Sequence, residues 1–175
     1  MYKKNHVLEI SNLFSKEECK NMITTYNTNL KKSLFYDFKD INLFSYSNKL
    51  LDSVNTYKEI YPEINLTASL WKLDYLRFKK FNKGQSFLPW HSEHCFSHPY
   101  RVLVIQIYLS KHKCGTEFYF KKTIKSDIGK IILFPAYYTH THRGQVCPEN
   151  KNRYLITGYY NFYKESEEEK DKRNV

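Results

Sequence analysis

The stretch LPWHSEHCFSHPY, Leu88 to Tyr100, carries three of the chain's seven histidines within eight residues. One of them, His91, stands two residues before Glu93. On an extended segment residues i and i+2 point to one side, so this imidazole and this carboxylate would share a face. Such a pair is either half of a metal site or a polar corner where two strands meet. The spacing alone does not separate these readings; residues much further along the chain must decide.

Composition limits what surrounds the motif. With 175 residues the chain is long enough for one sizeable core but not for two independent ones. Residues 1–163 are therefore expected to form a single domain, followed by a charged, frayed tail over 164–175 (KESEEEKDKRNV). Hydrophobic residues make up 41% and aromatics 17%, which excludes a disordered chain. No apolar run reaches membrane-span length, and the basic start MYKKNHVLEI lacks the apolar core of a signal peptide. A soluble cytoplasmic protein is expected. The net charge of +10 would draw an acidic partner, a nucleic acid or an anionic metabolite, although the lysines rarely form runs. Cys19, Cys95, Cys114 and Cys147 make no CxxC pair, so they read as free thiols and not as a zinc knot.

Periodicity gives the architecture. Ser15 and Glu18 form an S-x-x-E capping box, after which Cys19, Met22, Ile23 and Tyr26 recur at helical spacing, predicting a helix over 16–29. A second helix is predicted over 47–59, with Leu50, Leu51, Val54 and Tyr57 on one face and Pro62 beyond its end. From about residue 65 the pattern turns to strands: ASLWKLDYLRFKKF, which begins at residue 68, then RVLVIQIYLS, TEFYF, GKIILFP and RYLITGYYNF. Helices first and strands after read as an α+β domain with a sandwich or jelly-roll barrel at its core. On the Arg101–Ser110 strand, Leu103, Ile105, Ile107 and Leu109 would pack beneath the helices, leaving Val102, Val104, Gln106 and Tyr108 inside the barrel.

The second half of the motif lies in AYYTHTHRGQVCPENKNRYLITGYYNF, Ala136 to Phe162. It supplies His140 and His142, again at i and i+2, which would point to one side if extended. Arg153 then opens the last strand. Two histidines and one carboxylate that leave open positions form the facial triad of non-haem Fe(II) oxygenases. A barrel brings the distant third ligand alongside the first two.

On these residues the chain resembles the 2-oxoglutarate- and Fe(II)-dependent oxygenases, in their prolyl-4-hydroxylase-like branch, over about residues 7–162. VLEISNLFSKEEC is similar to the family's opening strand and helix, and RFKKFNKGQSFLPWHSE to its strand, glycine turn and metal-ligand motif. RVLVIQIYLSKHKCGTEFYF is similar to the family's R…YLN…GGxTxF segment, and GKIILFPAYYTHTHRGQV…NRYLITGYYNF to the segments of the distal histidine and the cosubstrate arginine.

The resemblance implies a double-stranded β-helix, a jelly-roll or cupin-like barrel with N-terminal helices packed on one sheet. It implies His91 and Glu93 as proximal Fe(II) ligands and His142 as the distal one. His142 precedes Arg153 by 11 residues, close to the family's interval; His140, 13 residues before it, is the alternative. Arg153 would pair with the far carboxylate of 2-oxoglutarate, Tyr108 would donate to that carboxylate, and Arg101 would line the mouth. The activity implied is hydroxylation of a substrate C–H bond using dioxygen, with release of succinate and carbon dioxide and with ascorbate as a helper. The substrate would be peptidyl, such as prolyl, with nucleic acid or a small metabolite as alternatives. Glu93 departs from the aspartate most members carry, which leaves open a non-catalytic metal-binding barrel. Cys114-Gly115 replaces the usual Gly-Gly. His94 and His98 read as rim groups, and His6 and His112 as surface residues.

Overall fold

A computed structural model of the chain describes residues 5–66 and 71–162, so the charged tail at 164–175 and the first residues of the strand expected from residue 68 lie outside it. The first strand, β1 (Leu8–Ile10), leads to α1 (Lys16–Tyr26). The Glu18 N–H donates to Ser15 Oγ at 3.1 Å and the Ser15 N–H donates back to the Glu18 carboxylate at 2.7 Å, completing the capping box. Cys19 and Met22 form the buried face of α1, which ends at Tyr26, short of residue 29. After β2 (Lys31–Lys32) and β3 (Asp37–Ile41) comes α2 (Ser47–Ile60), burying Leu50, Val54 and Tyr57. Leu51, expected on the same face, is 57% exposed. One residue along a helix is a rotation of about 100°, which carries Leu51 off the stripe.

The remaining strands are β4 (Trp71–Phe81), β5 (Arg101–Tyr108), β6 (Gly115–Phe118), β7 (Lys122–Lys125), β8 (Ile131–Pro135), β9 (His142–Gly144) and β10 (Arg153–Phe162). They form a seven-stranded sheet in the order β1-β8-β5-β10-β4-β3-β2 and a three-stranded sheet in the order β7-β6-β9. Every pairing is antiparallel. Both helices lie on the outer face of the large sheet, where Cys19, Met22, Leu50, Val54 and Tyr57 meet Leu103, Ile105, Ile107 and Leu109. The second core fills the space between the sheets, with Val104, Tyr108, Ile132 and Phe134 against Phe118 and Ile124. Packed on both faces, β5 is buried along its whole length, which explains its nearly continuous apolar sequence. The result is a double-stranded β-helix with helices on one sheet.

Two register shifts set the site. Asn161 pairs with Arg101 while Tyr160 pairs with Leu103, so Val102 is an extra residue in β5. Val102 therefore packs in the helix-side core, against the strict alternation expected of the strand, and Arg101 turns toward the barrel interior. On the other side of β10, Gly158 faces Leu76 but Tyr160 faces Leu73, which puts an extra residue into β4 near Tyr75. The rings of Tyr75 and Tyr159 meet there edge to face at 5.4 Å.

The cysteines correct the sequence reading. Cys19 and Cys95 are free, but Cys114 and Cys147 are joined in a disulfide. They lie 33 residues apart in sequence, and the pairing of β6 with β9 brings their segments together. Among the described residues, no helix is long and apolar enough to cross a membrane.

Candidate metal and anion site

His91 and His142 meet across a backbone bridge. The His91 N–H donates to the His142 carbonyl at 3.0 Å and the His142 N–H to the His91 carbonyl at 2.9 Å. This pins the two rings at a centroid separation of 4.4 Å. Glu93 is held nearby because its N–H donates to the Ala136 carbonyl, just beyond β8. The His91 Nε2 lies 3.4 Å and the His142 Nε2 3.8 Å from Glu93 Oε1.

Tautomers follow from the other ring nitrogens. His91 Nδ1 lies 3.1 Å from the Pro89 carbonyl and His142 Nδ1 lies 2.9 Å from the His140 carbonyl. A carbonyl can only accept, so both Nδ1 atoms donate and both neutral rings present an Nε2 lone pair. Two lone pairs and a carboxylate oxygen thus converge, each histidine oriented from behind by a backbone acceptor, as metal-binding histidines usually are. Burial and the neighbouring His91 push the His142 pKa down to about 4, so the ring is neutral at neutral pH. Burial raises the Glu93 carboxyl, but His91, Lys79 and His142 outweigh it and hold the pKa at about 2.

Glu93 is anchored from its far side. Arg101 Nη1 donates to Oε2 at 2.9 Å, and the Tyr159 hydroxyl donates to Oε1 at 3.1 Å. Arg101 also stacks on the Tyr159 ring at 3.5 Å and donates through Nη2 to the Tyr75 hydroxyl. The two register shifts are what aim Arg101 and Tyr75 at this network. Arg101 had been expected only at the mouth; it is a buried partner of the carboxylate.

His140 is elsewhere. The segment Tyr138–His140 is a 3-10 turn, so His140 and His142 do not share the extended geometry that would point them together. His140 Nε2 donates to the Asn5 carbonyl at 2.7 Å, and its Nδ1 pairs with Thr139 Oγ1 at 3.0 Å. Its ring is packed among Phe118, Phe120 and Phe134.

Arg153, the first residue of β10, enters the same cavity as the three convergent ligands. It is 3% exposed, stacks on Phe81 at 4.6 Å, and has no acidic partner among the described residues. Its Nη1 donates to the Gln145 carbonyl at 3.2 Å and its Nη2 to Ser86 Oγ at 3.1 Å, while its Nε is buried without a partner. Burial lowers its pKa to about 10, still fully charged at neutral pH. Gly144 leaves it room, since a Cβ there would lie 3.3 Å from Arg153 Nη2. Tyr108 lines the cavity beside it, donating to Thr116 Oγ1 at 2.7 Å, and Thr116 donates on to Gln106 Oε1 at 2.7 Å. Burial raises the Tyr108 pKa, so its hydroxyl keeps its proton.

Other expectations divide. Trp90 is a rim residue, with Arg143 over its ring at 4.4 Å and Tyr119 edge-on to it. His98 is exposed, whereas His94 is half-buried with Nδ1 donating to the Arg101 carbonyl at 3.2 Å. His112, expected at the surface, is buried. Tyr159 and Tyr160 are both buried, on opposite faces of β10. Sequence reasoning missed Tyr159, Thr116 and Ser86. Tyr159 was findable, because Arg153, Leu155, Thr157 and Tyr159 alternate onto one face.

Solved structures share this fold. The chain superposes on the viral collagen prolyl hydroxylase of Paramecium bursaria Chlorella virus-1, in its 2-oxoglutarate complex, with a TM-score of 0.73 at 15% identity, covering 90% of this chain and 97% of that one. A Pseudomonas putida prolyl-4-hydroxylase gives 0.64 at 12% identity, covering 91% and 94%. HygX from Streptomyces hygroscopicus, with nickel and 2-oxoglutarate bound, gives 0.63 at 9% identity, covering 89% and 82%. No protein-family model matches the sequence, and no curated protein is similar to it by sequence. The chain therefore shares its fold with these prolyl hydroxylases.

Proposed function

We propose that this chain, which has the fold of the 2-oxoglutarate- and Fe(II)-dependent oxygenases, is itself such an oxygenase and hydroxylates a C–H bond of its substrate. The observation that carries the reading is the pairing, in one cavity, of three convergent acceptors with a buried arginine that has no acidic partner among the described residues. A cation fits the acceptors, and the carboxylate of a small anion fits the arginine. 2-Oxoglutarate supplies both a chelating keto-acid end and such a carboxylate.

His91 and His142 would hold Fe(II) through Nε2, and Glu93 through Oε1. When bound, iron and 2-oxoglutarate supply the oxidising power: dioxygen is consumed, 2-oxoglutarate leaves as succinate and carbon dioxide, and ascorbate keeps the metal ferrous. The protein's own part is positional. Arg101 and Tyr159 fix Glu93 so that its longer side chain presents one oxygen while the other stays engaged. Arg153 takes the far carboxylate with its stacked, charged guanidinium, and Tyr108 redirects its hydroxyl from Thr116 to the same group. Phe81 and Phe87 help wall the cavity.

The substrate we infer is peptidyl, on the analogy of prolyl hydroxylases that share the fold, one of them in complex with a peptide fragment of hypoxia inducible factor. A second reading rests on Glu93, whose two oxygens already have protein partners: a barrel that binds metal without turnover. Succinate formation from 2-oxoglutarate, with Fe(II) and a panel of prolyl peptides, separates the two. The oxygenase reading expects succinate from the wild type and none from Arg153→Ala. Metal binding without succinate under any peptide would leave the non-catalytic barrel.

A further inference from the structure

A second group of metal-ligating side chains lies at the rim of the barrel, on the segment between β5 and β6 and on the loop between β9 and β10. The His112 Nδ1, Cys147 Sγ and a Glu149 carboxylate oxygen all lie within 4.8 Å of one another. Cys147 is bonded to Cys114, which puts a second sulfur next to this group.

The polar atoms here are arranged for a cation. The His112 side chain is 0% exposed, and its Nε2 donates to the Asn152 carbonyl at 3.2 Å. In the neutral ring this makes Nδ1 a lone pair. That lone pair faces Glu149 Oε2 at 3.6 Å, and both atoms are buried without a hydrogen-bond partner. The other carboxylate oxygen is held by the Lys113 N–H at 2.6 Å, which keeps Oε2 turned inward. Two acceptors facing each other at this distance repel, and a buried acceptor left unpaired is costly. A shared cation removes both penalties. Ligands on a tetrahedral zinc ion, at the usual zinc–nitrogen, zinc–oxygen and zinc–sulfur distances, stand about 3.3–3.8 Å apart. The backbone acceptor behind His112 and the backbone donor behind Glu149 are the supports that orient such ligands.

We propose that His112, Cys114, Cys147 and Glu149 form a second metal site, which takes a zinc-class divalent cation when the two cysteines are reduced. In the disulfide form the sulfurs are no longer thiolate ligands. Reduction by a tertiary phosphine breaks the S–S bond with two electrons; the phosphine takes the oxygen of one water and becomes its oxide, and two thiols result. Binding the cation then releases both thiol protons to solvent. Reoxidation by a disulfide of low-molecular-weight thiols reverses the electron count and expels the metal. The site adjoins the cavity described above, because Arg153 Nη1 donates to Cys114 Sγ at 3.3 Å, but the proposal does not depend on the proposed function.

Cobalt(II) is the probe, since a thiolate-to-cobalt charge-transfer band cannot arise from the His91, Glu93 and His142 cluster. The full chain, carrying Cys95→Ser to remove the exposed free thiol, is titrated after phosphine reduction and again in its disulfide form. The expected result is the band with four-coordinate visible absorption in the reduced protein and neither in the oxidised one. Cys147→Ser should weaken the band by about half, and Cys114→Ser combined with Cys147→Ser should abolish it. Glu149→Gln, a conservative change on a loop, should weaken cobalt binding at least about tenfold. The absence of a band in the reduced protein, or its survival in the Cys114→Ser, Cys147→Ser double variant, would overturn the proposal.

Discussion

His91, Glu93 and His142 sit inside the barrel on bridged backbone, whereas His112, Cys147 and Glu149 sit at its rim on loops. In the inner cluster Glu93 Oε2 is tied to Arg101 and both histidines are oriented by backbone acceptors. In the outer cluster His112 Nδ1 and Glu149 Oε2 are buried without a hydrogen-bond partner, and two sulfurs are locked in a disulfide. The difference teaches what each would do as proposed: the inner site would be preorganised, the outer one conditional on redox state.

The comparison breaks first at Arg101. Arg101→Leu should cost about 3–5 kcal/mol, because it leaves Glu93 buried without its ion-pair partner. Urea denaturation of the metal-free protein measures this; a loss under 1 kcal/mol, roughly that of an exposed pair, would mean that the inner site is not held by this network.

Acid should act next, and in the inner cluster His142 carries the effect. His142 has a folded pKa of about 4 against an ordinary 6.5, so between these values the unfolded chain takes up a proton that the folded one refuses. The stability His142 contributes is therefore whole above pH 6.5 and is lost as pH falls toward 4, by on the order of 3 kcal/mol. Glu93, depressed to about 2 from 4.5, extends the loss in the same direction at lower pH. Melting temperatures of the metal-free protein between pH 7 and 4 should fall, and His142→Asn should flatten that slope.

A smaller effect separates the neighbouring histidines. His140→Ala should destabilise by about 1–3 kcal/mol through the orphaned Asn5 carbonyl and the space left among phenylalanines, yet leave metal affinity in place. The smallest is at the rim: Trp90→Ala should cost about 0.5–1 kcal/mol, the value of one exposed cation–π contact.

These expectations also mark what the sequence made legible. The capping box at Ser15 and Glu18, the strand runs and the His91–Glu93 pair are local patterns, and each survives into the structure because period and spacing are set by neighbouring residues. His142 and Arg153 could be ordered along the chain, but that His140 turns away depends on one 3-10 turn that no alternation reveals. The bulge at Val102 is equally hidden: it is a property of the pairing of two strands, and it decides that Arg101 faces Glu93. The outer cluster escaped altogether, since His112, Cys114, Cys147 and Glu149 meet only after β6 and β9 pair, and the cysteines carry no CxxC spacing.

The most direct test of the central claim is anaerobic titration with Fe(II) and 2-oxoglutarate, following the visible charge-transfer band of the chelated complex. The account predicts a band in the wild type and in His140→Ala, and none in His91→Ala or His142→Ala. Loss of the band in His140→Ala with survival in His142→Ala, or no band in the wild type, would contradict it.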